Sequence, residues 1–108
     1  MMNLDRKAQQ FKALGHPARL RMLNLLCRQE SLCVCELMRV LGFAQSFSSR
    51  HLAILREAGL VDTEKHGTWV HYRLTAEGQA LLADAGLDQI ESLRADLARL
   101  NRSDCSSC

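Results

Sequence analysis

Residues 32–60, LCVCELMRVLGFAQSFSSRHLAILREAGL, decide the fold of this chain. A short helix is predicted over 32–41, with Ser31 as its N-terminal cap and Gly42 as its end. A second helix is predicted over 45–58, because apolar residues recur there three or four positions apart until Gly59. Two helices joined by so short a turn predict a helix-turn-helix.

The second of these helices carries a polar face. Its inward face comprises Ser48, His51, Leu52, Leu55 and Ala58. A second apolar stripe comprises Phe47, His51, Ile54 and Ala58. The outward residues are Gln45, Ser46, Ser49, Arg50 and Ala53. In a helix placed in a major groove, Arg50 can pair with guanine and Gln45 with adenine, while the serines bond phosphate or base edges. The polar face therefore predicts DNA binding.

A β-hairpin is predicted directly after the helix pair. Residues 60–65 and 68–74 are rich in β-forming residues, with His66-Gly67 between them. Lys65 and His66 lie at its tip, where they can reach the DNA backbone or minor groove. Helices followed by a hairpin predict a mainly α fold with a β-hairpin wing (α+β), the winged helix-turn-helix.

Two further helices are predicted before the helix-turn-helix. The first covers 3–14, with Leu4, Ala8, Phe11 and Leu14 at helical spacing, and Gly15-His16-Pro17 ends it. The second covers 18–28, and its predicted buried residues are Leu20, Leu23, Leu26 and Cys27. We expect Cys27 to be a buried structural cysteine.

The last helical region opens at Thr75. Its apolar stripe comprises Leu87, Ile90, Leu93, Leu97 and Leu100. On a chain this short such a stripe is either core or a dimer face, and we favour the dimer face, giving a homodimer through the first and last helices. We expect one winged helix-turn-helix and dimerisation domain over residues 1–100 and a flexible tail over 101–108 that contains Cys105 and Cys108.

Basic and acidic residues are unevenly distributed along the chain. Residues 1–58 contain nine Lys/Arg and four Asp/Glu, whereas residues 75–108 contain three and six. A basic body with an acidic tail favours a polyanion partner. The polar N-terminus predicts no signal peptide and no apolar run predicts a membrane span, so we expect a cytoplasmic protein.

The cysteines indicate thiol chemistry. In a reducing compartment five cysteines favour metal or redox chemistry over a disulfide scaffold. Cys33 and Cys35 are two residues apart, which places them about 200° apart around an ideal helix. They bind one ion only if the helix is irregular there or distorts, and such a distortion would misplace the second helix of the pair. Thiolates favour soft ions.

The chain resembles the ArsR/SmtB family of winged-helix repressors. The resemblance is carried by FKALGHPARLRMLNLL, LCVCEL, SSRHLAILREAGLV and KHGTWVHYRL, which lie in family order over about residues 8–75. It implies a homodimeric repressor that leaves its operator when a metal or metalloid binds. Ser48 departs from the family pattern, so Phe47 either faces outward, where it can touch a thymine methyl group, or takes over the core role.

The resemblance also implies the inducer. Cys33 and Cys35 match the cysteines of arsenic and antimony sensors, which implies As(III) or Sb(III) as inducer and no organic cofactor. The third cysteine of those sensors is replaced here by Met38, so the third ligand is Cys105, Cys108, Cys27 or an exogenous group. A zinc site on the last helix is not expected, because residues 75–108 contain no histidine.

Three alternatives remain. The cysteines form a redox or persulfide switch in a DNA-binding repressor, or they bind a soft metal such as Cd or Pb. A thiol enzyme using Cys105-x-x-Cys108 is disfavoured, because that pair lies at a polar chain end and not at a helix N-terminus. We find no other catalytic pattern and predict a protein that is not an enzyme.

Overall fold

The computed structural model describes residues 3–102 of the 108-residue chain. The elements, in chain order, are α1 (Leu4–Leu14), α2 (Pro17–Cys27), β1 (Leu32–Cys33), α3 (Val34–Leu41), α4 (Gln45–Glu57), β2 (Val61–His66), β3 (Trp69–Leu74), α5 (Ala76–Leu82), a 3₁₀ turn (Leu87–Gln89) and α6 (Glu91–Arg102). Helices α3 and α4 form the predicted helix-turn-helix, and β2 and β3 form the predicted hairpin. The predicted winged helix-turn-helix is therefore confirmed.

The turn between α3 and α4 depends on Gly42. This residue has φ 74°, a left-handed conformation that glycine adopts without steric cost. Its N–H donates to the carbonyl of Met38 at 2.8 Å, which ends α3 and allows α4 to begin at Gln45.

The sheet contains a strand that the sequence analysis did not predict. Its order is β1-β3-β2, all antiparallel, with Leu32 opposite Tyr72 and Cys33 opposite His71. The prediction of a helix from residue 32 was wrong at its start, because these two residues pair with β3 and α3 begins at Val34. That pairing joins residues about 40 positions apart, a contact that a local pattern does not encode.

The core surrounds α2. Helix α2 contributes the fully buried side chains of Met22, Leu23 and Leu25. The helix-turn-helix contributes Leu37, Leu52 and Leu55 to the same cluster. Cys27, predicted to be buried, is exposed. The preceding residues of α2 fill the core side, and Cys27 is the last residue of the helix, one helical step of about 100° beyond the buried Leu26.

The apolar stripe of the last helix packs mainly within the chain. Leu93 and Leu100 are buried and Leu97 is partly buried against the core, whereas Ile90 is 41% exposed. The stripe we favoured as a dimer face is therefore largely core. Helix α6 also continues to Arg102, past the expected domain end at residue 100, and Cys105 and Cys108 lie outside the described residues.

Helix α1, unlike α6, exposes most of its predicted apolar stripe. Leu4 is 83% exposed and Phe11 57% exposed, while the buried residues of this helix are Gln10 and Ala13. The predicted apolar stripe of α1 therefore faces away from the core at Leu4, Ala8 and Phe11, and only its last member, Leu14, packs against the core. No helix within residues 3–102 is long and apolar enough to cross a membrane.

Candidate nucleic-acid interface and thiol site

The first turns of α4 present the predicted polar face to solvent. Gln45, Ser46, Ser49 and Arg50 are exposed. On the opposite side Ser48, His51, Leu52 and Leu55 are buried. The face that sequence periodicity assigned to the surface is thus accessible, and α4 is fixed by its apolar side.

Phe47 lies at the border between these two faces. The ring is half-buried, with its centroid 4.8 Å from that of Phe43 and 4.4 Å from that of His51. The Arg50 guanidinium carbon lies 5.5 Å from the same ring, within the range of a cation–π contact. Phe47 therefore packs on the turn residue Phe43 and supports Arg50 at the surface.

His51 anchors α4 to the start of α2. The ring is 4% exposed and lies 4.5 Å from the His16 ring, and its Nδ1 lies 3.0 Å from an Arg19 guanidinium nitrogen. Because a guanidinium only donates, Nδ1 accepts, which places the proton of the neutral ring on Nε2. Burial, followed by the charges of His16, Arg19 and Arg50, lowers the pKa of His51. The fold thus favours the neutral imidazole.

This arrangement predicts a pH-dependent stability. The folded state binds a proton at His51 less tightly than the unfolded state, so the free energy of unfolding rises with pH. The free energy of unfolding begins to fall as the pH drops below the unfolded pKa of histidine, about 6.5, and continues to fall down to the lower pKa of the folded state. Urea unfolding between pH 5.5 and pH 7.5 measures the slope, and we expect His51→Gln to reduce it. His66→Gln, on the exposed wing, is the control; a full slope in His51→Gln would contradict the assignment.

The wing carries a ladder of charges that we did not predict. Arg73 Nε donates to Asp62 Oδ1 at 2.8 Å, and Arg73 Nη1 to Glu64 Oε2 at 2.6 Å. Both acidic partners lie across the hairpin on β2. These exposed pairs fix the hairpin register more than they stabilise the fold. Because the partners are separated by 9 and 11 positions, only the observed register identifies them.

At the tip of the wing, Lys65 and His66 are both exposed. His66 Nε2 lies 2.9 Å from Glu64 Oε1, and its ring stacks on His71 at a centroid distance of 4.2 Å. His66 pairs with Trp69, whose ring is half-exposed, around the Gly67-Thr68 loop. Lys65 is thus displayed toward solvent, while His66 is held between an acidic and an aromatic neighbour.

The two cysteines at the start of α3 lie close together. Cys33 is the N-cap residue with extended backbone (φ −80°, ψ 162°), and only Cys35 is helical. The two Sγ atoms are 2.9 Å apart, longer than a disulfide bond of about 2.05 Å. A metal–thiolate bond is about 2.3 Å long, so one soft ion can reach both sulfurs. The irregularity that the sequence required of a shared site is present in the backbone.

The protein holds the Cys33 thiol in its protonated form. Cys33 is 3% exposed, and burial is the largest cause that raises the pKa of the thiol; the side chain of Glu36 raises it further, while backbone hydrogen bonds from Glu36 and Cys35 oppose the shift. The backbone N–H of Cys33 donates to Glu36 Oε1 at 3.1 Å, so the N–H of the N-cap residue of α3 has a hydrogen-bond partner. Ligand binding at Cys33 must therefore displace a proton.

The thiol site has two sulfur donors within the described residues. Residues 3–102 contain no group of three or more His, Cys, Asp or Glu side chains that could hold a metal ion. Two cysteine sulfurs, once reduced, suit a soft ion of low coordination number, with a further donor from elsewhere. Cys33 also faces His71 across β1 and β3, so the sulfur pair lies next to the middle of β3 in the wing.

Comparison with known proteins places these features in context. The family described as "Bacterial regulatory protein, arsR family" matches residues 16–63, which include α2, the thiol pair, the helix-turn-helix and the start of β2. The chain is 40% identical over 102 residues to the arsenical resistance operon repressor of Escherichia coli, covering 91% of this chain and 87% of that protein.

A second relative and a solved structure indicate the same family. The chain is 49% identical over 67 residues to the arsenic resistance transcriptional regulator ArsR1 of Pseudomonas putida, covering 62% of this chain and 52% of that protein. It superposes with a TM-score of 0.73 on a homodimeric winged helix-turn-helix DNA-binding domain from Mycobacterium bovis, described as a possible ArsR-family transcriptional regulator. That pair is 29% identical, with 84% of each chain covered.

Proposed function

Because this chain belongs to the arsR family of bacterial regulatory proteins and is a winged helix-turn-helix transcriptional repressor, we propose that Cys33 and Cys35 bind As(III) or Sb(III) and that this binding releases the protein from operator DNA. The observation that carries the proposal is the pair of Sγ atoms 2.9 Å apart at the first turn of α3, the first helix of the DNA-binding pair. Members of the family are DNA-binding regulators, and we expect this one to act in the cytoplasm.

In the proposed complex, α4 lies in the major groove. The exposed residues of its first turns are Gln45, Ser46, Ser49 and Arg50. Arg50 reads guanine and Gln45 reads adenine, and the Phe47 ring supports the Arg50 guanidinium at 5.5 Å. Lys65 and His66 contact the flanking backbone or minor groove. Support comes from the exposure of these side chains on one helix and one hairpin tip.

The operator complex is proposed to contain a homodimer. Leu4 and Phe11 expose a long apolar strip of α1, and Ile90 exposes a second apolar patch at the start of α6. Next to Ile90 lies a cleft of about 150 Å³ lined by Pro17, Leu20 and Leu93. Exposed apolar surface of this kind marks an interface, and the similar M. bovis domain is described as homodimeric. We propose that both outer helices contribute to this dimer, α1 through Leu4 and Phe11 and the α6 segment through Ile90 at its start.

The thiol site is placed to move α3. As(III) or Sb(III) supplies a soft acceptor for thiolate lone pairs. Binding one ion through both sulfurs removes the proton of Cys33 and changes the 2.9 Å separation of the two Sγ atoms, although Cys33 is held by β1 and Cys35 by α3. The strain falls on the joint between strand and helix. We propose that α3 shifts there and carries α4 out of register with the groove.

The decisive experiment is fluorescence anisotropy of the reduced protein on labelled DNA from upstream of its own gene, titrated with As(III), Sb(III), Cd(II) and Zn(II). We expect release by the two trivalent metalloids. Release by Cd(II) alone would assign a soft-metal sensor instead. Binding that no ion reverses, together with release by a thiol oxidant and a sulfur–sulfur product in the mass spectrum, would replace the metalloid by a redox switch.

A further inference from the structure

A buried carboxylate on α6 joins three helices. Asp96 is 1% exposed and receives two hydrogen bonds from Arg21 of α2, at 2.9 and 3.0 Å, as well as one from Arg99. An ion removed from water destabilises the folded state strongly unless it is paired and hydrogen-bonded. Asp96 therefore cannot separate from both arginines without a large penalty, and Arg21, Asp96 and Arg99 form one unit that we call the Asp96 cluster.

One arm of the Asp96 cluster reaches the end of α3. Arg99 Nε donates to the carbonyl oxygen of Val40 at 3.0 Å. Val40 lies in the last turn of α3, where the helix leaves its carbonyls without intrahelical partners. The opposite end of the same eight-residue helix carries Cys33 and Cys35. A displacement of α3 that begins at the thiol pair must therefore also move an acceptor of the Asp96 cluster.

The other arm reaches α4, the proposed recognition helix. The guanidinium carbon of Arg21 lies 5.1 Å from the ring centroid of Phe43, in the turn between α3 and α4. Phe43 packs on Phe47 of α4, and Phe47 in turn contacts Arg50. Contacts therefore run without a gap from the end of α3, through the Asp96 cluster, to the proposed base-reading arginine.

We propose that Asp96 and Arg21 are positioning residues that couple the thiol site to the recognition helix. The inference rests on the proposed function. A rigid, bidentate Asp96–Arg21 pair makes the orientation of Phe43 depend on the position of Val40, because Arg99 and Arg21 share one carboxylate. When α3 moves, the cluster moves with it, and the support under Phe47 and Arg50 is withdrawn. Without the cluster, α3 and α4 would respond separately.

The test measures the ratio of the DNA dissociation constants with and without inducer. Allosteric couplings in proteins amount to about 5- to 150-fold. We expect Asp96→Asn, which keeps the shape but removes the charge, to reduce this ratio at least about fivefold while As(III) still binds, as read from thiolate–arsenic absorbance. By reciprocity, the effect of DNA on As(III) affinity must fall by the same factor. A purely structural role would change stability and leave the ratio unaltered.

Two further variants and one control complete the test. Arg21→Lys keeps the charge but loses the planar contact with Phe43, and Phe43→Leu keeps an apolar residue but loses the ring, so both are expected to reduce the ratio even if Asp96→Asn does not fold. Glu77→Gln is the matched control, because Glu77 joins α5 to Arg6 and Gln10 of α1 outside the cluster. Wild-type ratios in Arg21→Lys and Phe43→Leu would overturn the coupling inference and leave the proposed function standing. A wild-type protein that no inducer or thiol oxidant releases would refute the proposed function and this coupling with it.

Discussion

Cys33→Ser is expected to bind operator DNA within about threefold of the wild-type affinity, a difference of about 0.7 kcal/mol, and to lose release by As(III). Serine is a preferred N-cap residue, and Cys33 occupies the N-cap of α3, so the substitution should preserve the helix. The hydroxyl is a hard donor that does not ionise near neutral pH, so it cannot replace a thiolate toward a soft ion. DNA binding and response to the inducer should therefore separate.

Anisotropy with and without As(III) measures both properties in one titration. Cys27→Ser is the matched control, since Cys27 is an exposed cysteine at the far end of α2. We expect that control to behave as the wild type. Release by As(III) that survives in Cys33→Ser would exclude Cys33 from the site. Loss of DNA binding in a folded Cys33→Ser protein would show that the cysteine has a structural role in the helix-turn-helix.

Arg50→Ala is expected to weaken operator binding at least about 30-fold. One arginine–guanine contact contributes about 1–3 kcal/mol of discrimination, and the proposed homodimer loses two of them. Two losses of about 1 kcal/mol each amount to about 30-fold in the dissociation constant. Because Arg50 is exposed and its ring contact with Phe47 is peripheral, the fold should be retained.

The measurement for Arg50→Ala compares operator DNA with a scrambled duplex at several salt concentrations. Loss of base reading weakens binding to the operator more than to the scrambled sequence. Loss of a phosphate contact alone would weaken both equally and reduce the salt dependence by about one ion per arginine. Arg94→Ala, an exposed arginine on α6, is the control. If Arg50→Ala bound the operator with wild-type affinity, the proposed position of α4 in the major groove would be wrong.

Local patterns predicted most of the fold. The helix-turn-helix follows from periodicity and from Gly42, whose left-handed conformation ends α3. The hairpin follows from two β-rich segments around His66-Gly67, and the register His66 opposite Trp69 agrees with that tip. The outward face of α4 also followed from periodicity, because the spacing of Leu52 and Leu55 fixes which side is buried. Such features depend on residues a few positions apart.

The candidate site depended on contacts that no local pattern contains. An ideal helix would have separated Cys33 from Cys35, and pairing with β3 brought their sulfurs together. Phe47 had two possible roles in the sequence, and Phe43 and His51 fixed its half-buried position. Asp96 was simply one acidic residue in an acidic segment, and its partner Arg21 lies 75 positions away.

The sequence by itself determined the order of the elements, the winged helix-turn-helix and the residue types available to the thiol and DNA faces. Capping, glycine conformation and periodicity act within a few residues, so these properties can be deduced from neighbours along the chain. Tertiary structure alone decided which side chains meet. Strand pairing places Cys33 outside the helix, Leu93 and Leu100 are buried in the core, and Arg21 and Arg99 bind one carboxylate. Those outcomes are set by packing between distant segments, where burial and charge pairing are satisfied together.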